Sequence, residues 1–301
     1  MPKPNLFIVG APKCGTTSLY AWLMAHPDVF MCTPKEPNYF GSDLHRQYAR
    51  SLADYEALFE GCGRASVLGE ASTHYLYSAR AIPEAFDYNP EAKFIACIRN
   101  PVDLVMSFHS HLYNIGVETE PDLWTAWSLR ASRLDGGTGH SRADTVNTLQ
   151  YGRIAALGRQ LDRFFQNVPK HRRLVVVLDD LLRAPHQTYK EVLRFLDLPD
   201  HDRATLIPQN VRVSTRSVVL ARTIQGLGRM KRNVGMPGGL GVLETLKRFN
   251  RRCGDDAVRA SPAVRRELSA AFAGEIEWVA QLLERDVRHW ITENAAAAQR
   301  D

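Results

Sequence analysis

The sequence predicts an α/β fold: a single domain, residues 1–301, with a central parallel sheet flanked by helices. Three observations carry that prediction. Short apolar runs recur along the chain, and most are followed by a segment whose apolar residues repeat at helical spacing. No linker, internal repeat or low-complexity tract divides the chain. The composition, 45% hydrophobic and 24% charged, excludes a disordered chain or a coiled-coil rod.

In chain order, residues 6–10 (Leu-Phe-Ile-Val-Gly) form an apolar run ended by glycine, the pattern of a buried strand. A polar, glycine-bearing loop follows. Leu19, Trp22 and Leu23 then mark one face of a helix that His26-Pro27 stops. Two prolines make residues 31–40 an irregular loop. A polar helix is expected over residues 54–59, and strands over residues 66–70 and 93–99. Residues 102–112 read as a helix, and Gly, Ser, Thr and charge mark residues 135–147 as a mobile loop. A helical stripe covers residues 151–165, and residues 174–178 make the strongest strand because β-branched residues dominate it. Helices follow over residues 189–196 and 262–290; residues 226–241 read as a second mobile segment and residues 295–301 as a frayed tail.

Charge and cysteine usage narrow the function. Lys and Arg number 38 against 33 Asp and Glu, a net charge of +5. That suits an anionic ligand, but basic residues are not interleaved with aromatics as nucleic-acid binding requires. Arg229, Lys231, Arg232, Lys247, Arg248, Arg251 and Arg252 read as a solvated helix face and loop. No run of about 18 apolar residues predicts a membrane span, and the N-terminus lacks a signal-peptide pattern, so a cytoplasmic protein is expected. The five cysteines are widely spaced, with no Cys-x-x-Cys pair and no zinc spacing, so reduced thiols and no metal are expected.

Chemistry concentrates in three places. The first is the loop carrying Gly10, Pro12, Lys13, Cys14, Gly15, Thr16, Thr17 and Ser18 between a strand and a helix. Unpaired N–H groups at a helix start, the helix dipole, hydroxyls and a lysine together predict a phosphate site. The loop is P-loop-like only in part. Gly10 and Gly15 have the Walker separation, but Thr16 stands where the lysine belongs, and Lys13 lies inside the loop. Cys14, at the helix start, is expected to have a lowered thiol pKa. The second place is Arg99 at a strand end, with Ser107 on the following helix, a fork and a hydroxyl suited to a second phosphate. The third candidate is Glu36, a carboxylate on a proline-braced loop, which the residues alone read as a surface group beside Lys35. Asp179 and Asp180 follow the strongest strand; they could imitate a metal-holding pair but are read as caps of the next helix.

Pro12-Lys13-Cys14-Gly15-Thr16-Thr17 after one strand, with Arg99-Asn100-Pro101 and Ser107 after another, resembles the PAPS-dependent sulfotransferases. Lys35-Glu36-Pro37-Asn38-Tyr39-Phe40 is similar to the acidic loop of their heparan-type and bacterial branch, and Gly69-Glu70-Ala71-Ser72 with Tyr75 to the next strand and turn. The resemblance covers most of the chain. It implies that the first loop cradles the 5′-phosphosulfate of PAPS (3′-phosphoadenylyl sulfate), and that Arg99 and Ser107 bind the 3′-phosphate. Glu36 would be the base and Lys13 the stabiliser of the leaving phosphate. His74 is the rival base, because the branch acting on phenols and steroids uses a histidine. Arg216 is the expected late contact to the nucleotide. The implied reaction moves a sulfuryl group from PAPS to a hydroxyl or amine of a small-molecule or glycan acceptor, leaving PAP, with no metal. A P-loop-type ATP-dependent kinase and a non-catalytic nucleotide-binding protein are the alternatives. The acceptor pocket is expected from loops at residues 38–48, 135–147 and 226–241, and the sequence leaves a homo-oligomer open.

Overall fold

The computed structural model describes residues 3–44, 48–134, 148–200, 206, 213–215, 251–253 and 261–291. The expectations for residues 135–147, 226–241 and 295–301, and for Arg216, lie outside the described residues.

The apolar runs become a five-stranded sheet in the order β2-β3-β1-β4-β5, from β1 (Leu6–Gly10), β2 (Val29–Met31), β3 (Val67–Ala71), β4 (Lys93–Ile98) and β5 (Arg173–Val177). Every neighbouring pair is parallel. β1 sits at the centre with all five residues buried, as a continuous apolar run should when helices cover both faces. Its register is set by apolar layers: Ile8 lies opposite Ala71 on one side and Ile95 on the other, and Phe7 stacks on Phe94 at 5.1 Å.

Because all five strands point one way, their carboxyl ends share one edge of the sheet. The chain leaves β1 through α1 (Thr16–Met24) toward β2 on one side, and later returns to place β4 on the other. A parallel sheet opens a crevice where its strand order reverses in this way.

The helices differ from expectation in their ends. The helix expected at 54–59 is α2 (Leu52–Ala57), started earlier by a capping box between Ser51 and Asp54. Helix α3 (Ala81–Tyr88) is an addition. The helix after β4 is α4 (Pro101–Asn114), and two short helices follow it, α5 (Leu123–Ser128) and α6 (Arg130–Leu134). The stripe at 151–165 is two helices, α7 (Tyr151–Ile154) and α8 (Leu157–Asn167). After β5 come α9 (Leu178–Arg183) and α10 (Pro185–Phe195), and the last long helix is α11 (Pro262–Leu283). It stops at Glu284, which takes a left-handed φ of 50°.

Beyond that stop, residues 285–290 fold back onto the first turn of α9. Asp179 and Asp180 do not cap α9, whose N-cap is Val177 without a side-chain bond. Instead, Asp179 accepts from Trp290 Nε1 at 2.6 Å, and Asp180 pairs with Arg285. Trp290 is fully buried, and its carbonyl accepts from Asn100 Nδ2 at 3.4 Å. A separate antiparallel pair joins β6 (Val213–Thr215) to β7 (Arg251–Cys253), so Arg251 and Arg252 lie on a strand rather than on a helix face or loop. Among the described residues, no helix is long and apolar enough to cross a membrane.

Candidate active site

The turn after β1 leaves the start of α1 bare. Its N-cap is Gly15, at φ 87°, with no side-chain cap and no acidic residue in the first turn. The first N–H groups of a helix have no intrahelical partner, so they and the dipole present positive potential there. Glycine is required at position 15: a Cβ would lie 2.9 Å from Leu178 Cδ1, on a backbone that side chains rarely adopt. Pro12, Thr16 and Ser18 are buried, and Thr17 and Lys13 are partly exposed.

Lys13 carries the charge of this turn. Burial lowers its pKa, and Arg99 and then Lys35 repel its ammonium further, with Cys14 acting the other way. Three cations therefore converge on one place, two of them with a carboxylate partner: Lys35 with Glu36 and Arg99 with Asp103. The Cys14 expectation is corrected. Its thiol is fully buried and donates to the Pro12 carbonyl at 3.4 Å. Burial pushes it up to about 12, outweighing Arg99 and Lys13. Cys14 is a core side chain rather than a reactive thiol.

Arg99 joins the two phosphate motifs physically. At the end of β4 its Nη1 donates to the Lys13 carbonyl at 3.2 Å, and its Nη2 lies 3.6 Å from Asp103. Its Nε is buried with no hydrogen-bond partner among the described residues. Asp103 is one turn before Ser107 on α4, so Ser107 shares the helix face of the residue that pairs with Arg99. Ser107 is itself partly exposed.

Glu36 returns to the same edge from the loop after β2. Its N–H donates to the Ala71 carbonyl at 3.1 Å, which ties the loop to the end of β3. Its carboxylate accepts from Thr73 Oγ1 at 3.1 Å and Lys35 Nζ at 3.3 Å. Burial pushes the Glu36 carboxyl upward. Lys35 and His74, with the hydrogen bonds from Lys35 and Thr73, outweigh that and hold it below the ordinary carboxylate range. Glu36 and Asn38 both take left-handed φ values, 63° and 48°. Such a conformation costs about 1–2 kcal/mol for a non-glycine residue, so surrounding contacts must hold the loop.

His74 lies on the next turn, buried beside Phe108. Its Nδ1 is 3.4 Å from Thr73 Oγ1, so the two candidate bases flank one threonine. The turn carrying Thr73 and His74 is fixed to the end of β1: Ser72 N–H donates to the Ile8 carbonyl at 3.1 Å and Leu76 N–H to the Val9 carbonyl at 2.7 Å. Gly10 makes the approach possible, since a Cβ there would sit 2.5 Å from the Thr73 carbonyl oxygen.

The structure thus brings Lys13, Arg99, Glu36 and His74 to one sheet edge, with Ser107 on the facing side of α4. Sequence reading missed the roles of Thr73 and Lys35. Lys35 was visible in the acidic-loop motif; Thr73 carries no local signal, because only the packing of its turn on β1 makes it a neighbour of Glu36.

The chain belongs to the Sulfotransferase domain family, whose family model matches residues 3–217. It is 25% identical over 209 residues to the bifunctional heparan sulfate N-deacetylase/N-sulfotransferase 1 of Caenorhabditis elegans, covering 68% of this chain and 23% of that protein. It is 29% identical over 195 residues to the human heparan sulfate glucosamine 3-O-sulfotransferase 6, covering 65% of this chain and 52% of that protein. The chain therefore matches about a quarter to a half of the length of these curated relatives. Among solved structures, a sulfotransferase from Alicyclobacillus acidocaldarius superposes with a TM-score of 0.70 at 23% identity, covering 96% of this chain and 99% of the other. Mouse sulfotransferase SULT7A1, complexed with PAP, superposes with a TM-score of 0.53 at 14% identity, covering 98% and 89%. These likenesses establish the sulfotransferase fold.

Proposed function

We propose that the protein moves a sulfuryl group from PAPS to a hydroxyl or amine of a small-molecule or glycan acceptor, leaving PAP. One observation carries this reading: an uncapped helix start, Lys13 and a half-satisfied Arg99 converge on an edge where Glu36 waits. A ligand with phosphate on both sides of its ribose suits those residues, since the bare α1 turn with Lys13 and the Arg99–Ser107 pair are two separate anion cradles. Bound there, PAPS supplies the sulfuryl group.

The residues divide the work. Glu36, ionised at neutral pH, takes the proton from the acceptor as its oxygen or nitrogen bonds to sulfur. Lys13 and the loop N–H groups meet the negative charge that grows on the departing 5′-phosphate as the S–O bond breaks, so they favour the transition state over the ground state. Arg99 and Ser107 hold the 3′-phosphate, and Arg216 adds a late contact to the nucleotide. Thr73 orients the Glu36 carboxylate, and His74 is the second basic group beside it. The glycan class is supported by the names of the curated relatives, two of which act on heparan sulfate. The kinase alternative loses its metal-holding pair, since Asp179 and Asp180 are engaged by Trp290 and Arg285.

Calorimetric binding of PAP, 5′-AMP and ATP tests the nucleotide site. Wild type should prefer PAP over 5′-AMP by about 10- to 100-fold, the worth of one or two charge-assisted hydrogen bonds, and Arg99→Ala should lose most of that preference. Equal binding of PAP and 5′-AMP to wild type would sink the reading. With labelled PAPS and an N-desulfated heparin oligosaccharide as acceptor, Glu36→Gln should lower kcat by about 10²- to 10⁴-fold with PAP binding intact. A larger loss in His74→Ala would transfer the role of base to His74.

A further inference from the structure

Behind Glu36 lies a second carboxylate that the reaction does not touch. Glu70, on β3, is completely buried. Its Oε2 accepts from Ser72 Oγ at 2.6 Å, and its Oε1 accepts from Tyr55 Oη at 2.8 Å and Tyr75 Oη at 3.2 Å. Two of those hydroxyls also hold the Glu36 loop. Ser72 Oγ accepts from the Asn38 N–H at 3.1 Å, and Tyr75 Oη accepts from the Phe40 N–H at 3.0 Å. Asn38 Nδ2 then donates to the Glu36 carbonyl at 2.9 Å.

The direction of these bonds matters. An ionised carboxylate only accepts, and a hydroxyl has one proton to give. With Ser72 and Tyr75 each donating to Glu70, both oxygens are left as acceptors for backbone N–H groups. One buried acceptor thereby fixes two amides on either side of Tyr39, in a loop whose residues 36 and 38 have left-handed backbones that need outside support.

We propose that Glu70 is a positioning residue: through Ser72 and Tyr75 it holds residues 36–40 so that Glu36 faces the anion cradles. The proposal rests on the sulfotransferase reading of Glu36, but its test by hydrogen exchange does not. Burial pushes the Glu70 carboxyl up to about 7 despite its three hydroxyl donors. The groups around it are Tyr55 from α2, Tyr75 and Ser72 from the following turn, Cys32 after β2, and Glu36. A proton arriving on Glu70 turns one of its oxygens into a donor, so one of the three hydroxyls, Tyr55, Tyr75 or Ser72, must accept from it instead of donating.

The experiment is site-resolved amide hydrogen exchange on the full chain, comparing wild type with Glu70→Gln. At pH 8.5 the Asn38 and Phe40 amides should exchange about tenfold faster in the variant, corresponding to one weakened hydrogen bond, while the β1 amides keep their protection. The ratio of variant to wild type should shrink toward one at pH 5.5, where wild-type Glu70 is itself protonated. Ser72→Ala should expose Asn38 alone and Tyr75→Phe should expose Phe40 alone; these serve if Glu70→Gln does not fold. In the transfer assay with the heparin oligosaccharide, Glu70→Gln should lower kcat about tenfold and leave the KM for PAPS within about twofold. Unchanged protection at both amides, or exchange that rises equally across the sheet, overturns the proposal. Wild type that binds PAP and 5′-AMP equally sinks the sulfotransferase reading and leaves the exchange result standing.

Discussion

The starts of α1 and α4 occupy neighbouring strand ends and meet the same kind of ligand in the proposed function, yet they are built in opposite ways. At α1 the cap is a glycine and the first turn carries no acid, so backbone donors stay open. At α4 the Asn100 side chain takes the Val102 N–H at 3.1 Å, Pro101 removes one donor, and Asp103 puts negative charge in the first turn. The second terminus is closed to anions, and the charge there must come from a side chain, Arg99. The difference teaches that a phosphate cradle made of backbone depends on what the sequence leaves out, whereas one made of side chains depends on a single residue being present.

The largest expected effect is at the backbone cradle. Lys13→Ala should lower kcat by about 10²- to 10³-fold, in the range of removing one transition-state donor, with a smaller loss of PAP affinity. An equal loss in both, read by transfer assay and calorimetry, would reduce Lys13 to a ground-state contact and break the asymmetry.

Next in size is a pH effect. Lys13 has a pKa below the ordinary lysine value, chiefly from burial, and an anion beside it raises that value again. Bound PAP therefore favours the ammonium form. Affinity should hold at neutral pH and fall as the pH rises through the Lys13 pKa of the free protein, by about tenfold per unit of pKa difference. Lys13→Arg should flatten the profile, because a guanidinium does not titrate in that range. A fall that persists in the arginine variant would assign the titration elsewhere.

The smallest effect sharpens the closed terminus. Asn100→Ala should cost about 1 kcal/mol of stability, the usual worth of an N-cap, seen as a Tm drop of roughly 2–4 °C. Its preference for PAP over 5′-AMP should stay within about twofold. A tenfold change would mean that α4 contributes backbone donors after all.

Much of this was legible in the sequence, for a physical reason. Four of the five strands of the main sheet announce themselves because parallel strands buried on both faces are continuous apolar runs. β2 escaped because it is three residues long and Pro34 and Pro37 follow it closely. The helices α5 and α6 escaped because six and five residues are too few to show a period. Lys13, Arg99 and Glu36 were legible as motifs. Glu70 stood in a quoted motif, but its partners Tyr55, Ser72 and Tyr75 show only in the fold, and Thr73 matters only because the turn after β3 packs on the end of β1. Cys14 shows the opposite failure. Charge reasoning alone lowers its pKa, and burial, invisible in the local sequence, reverses the sign.

The segment folded back after Glu284 bears on where this protein can be cut. The family match stops at residue 217, but Leu268, Phe272, Ile276, Val279 and Trp290 complete the interior from beyond it. A fragment ending at the homology border would bare the apolar floor beneath those side chains and lose the tryptophan that braces the turn next to Arg99. Expression trials planned from the matched region alone should therefore yield insoluble material, while fragments reaching past residue 291 should keep their fold.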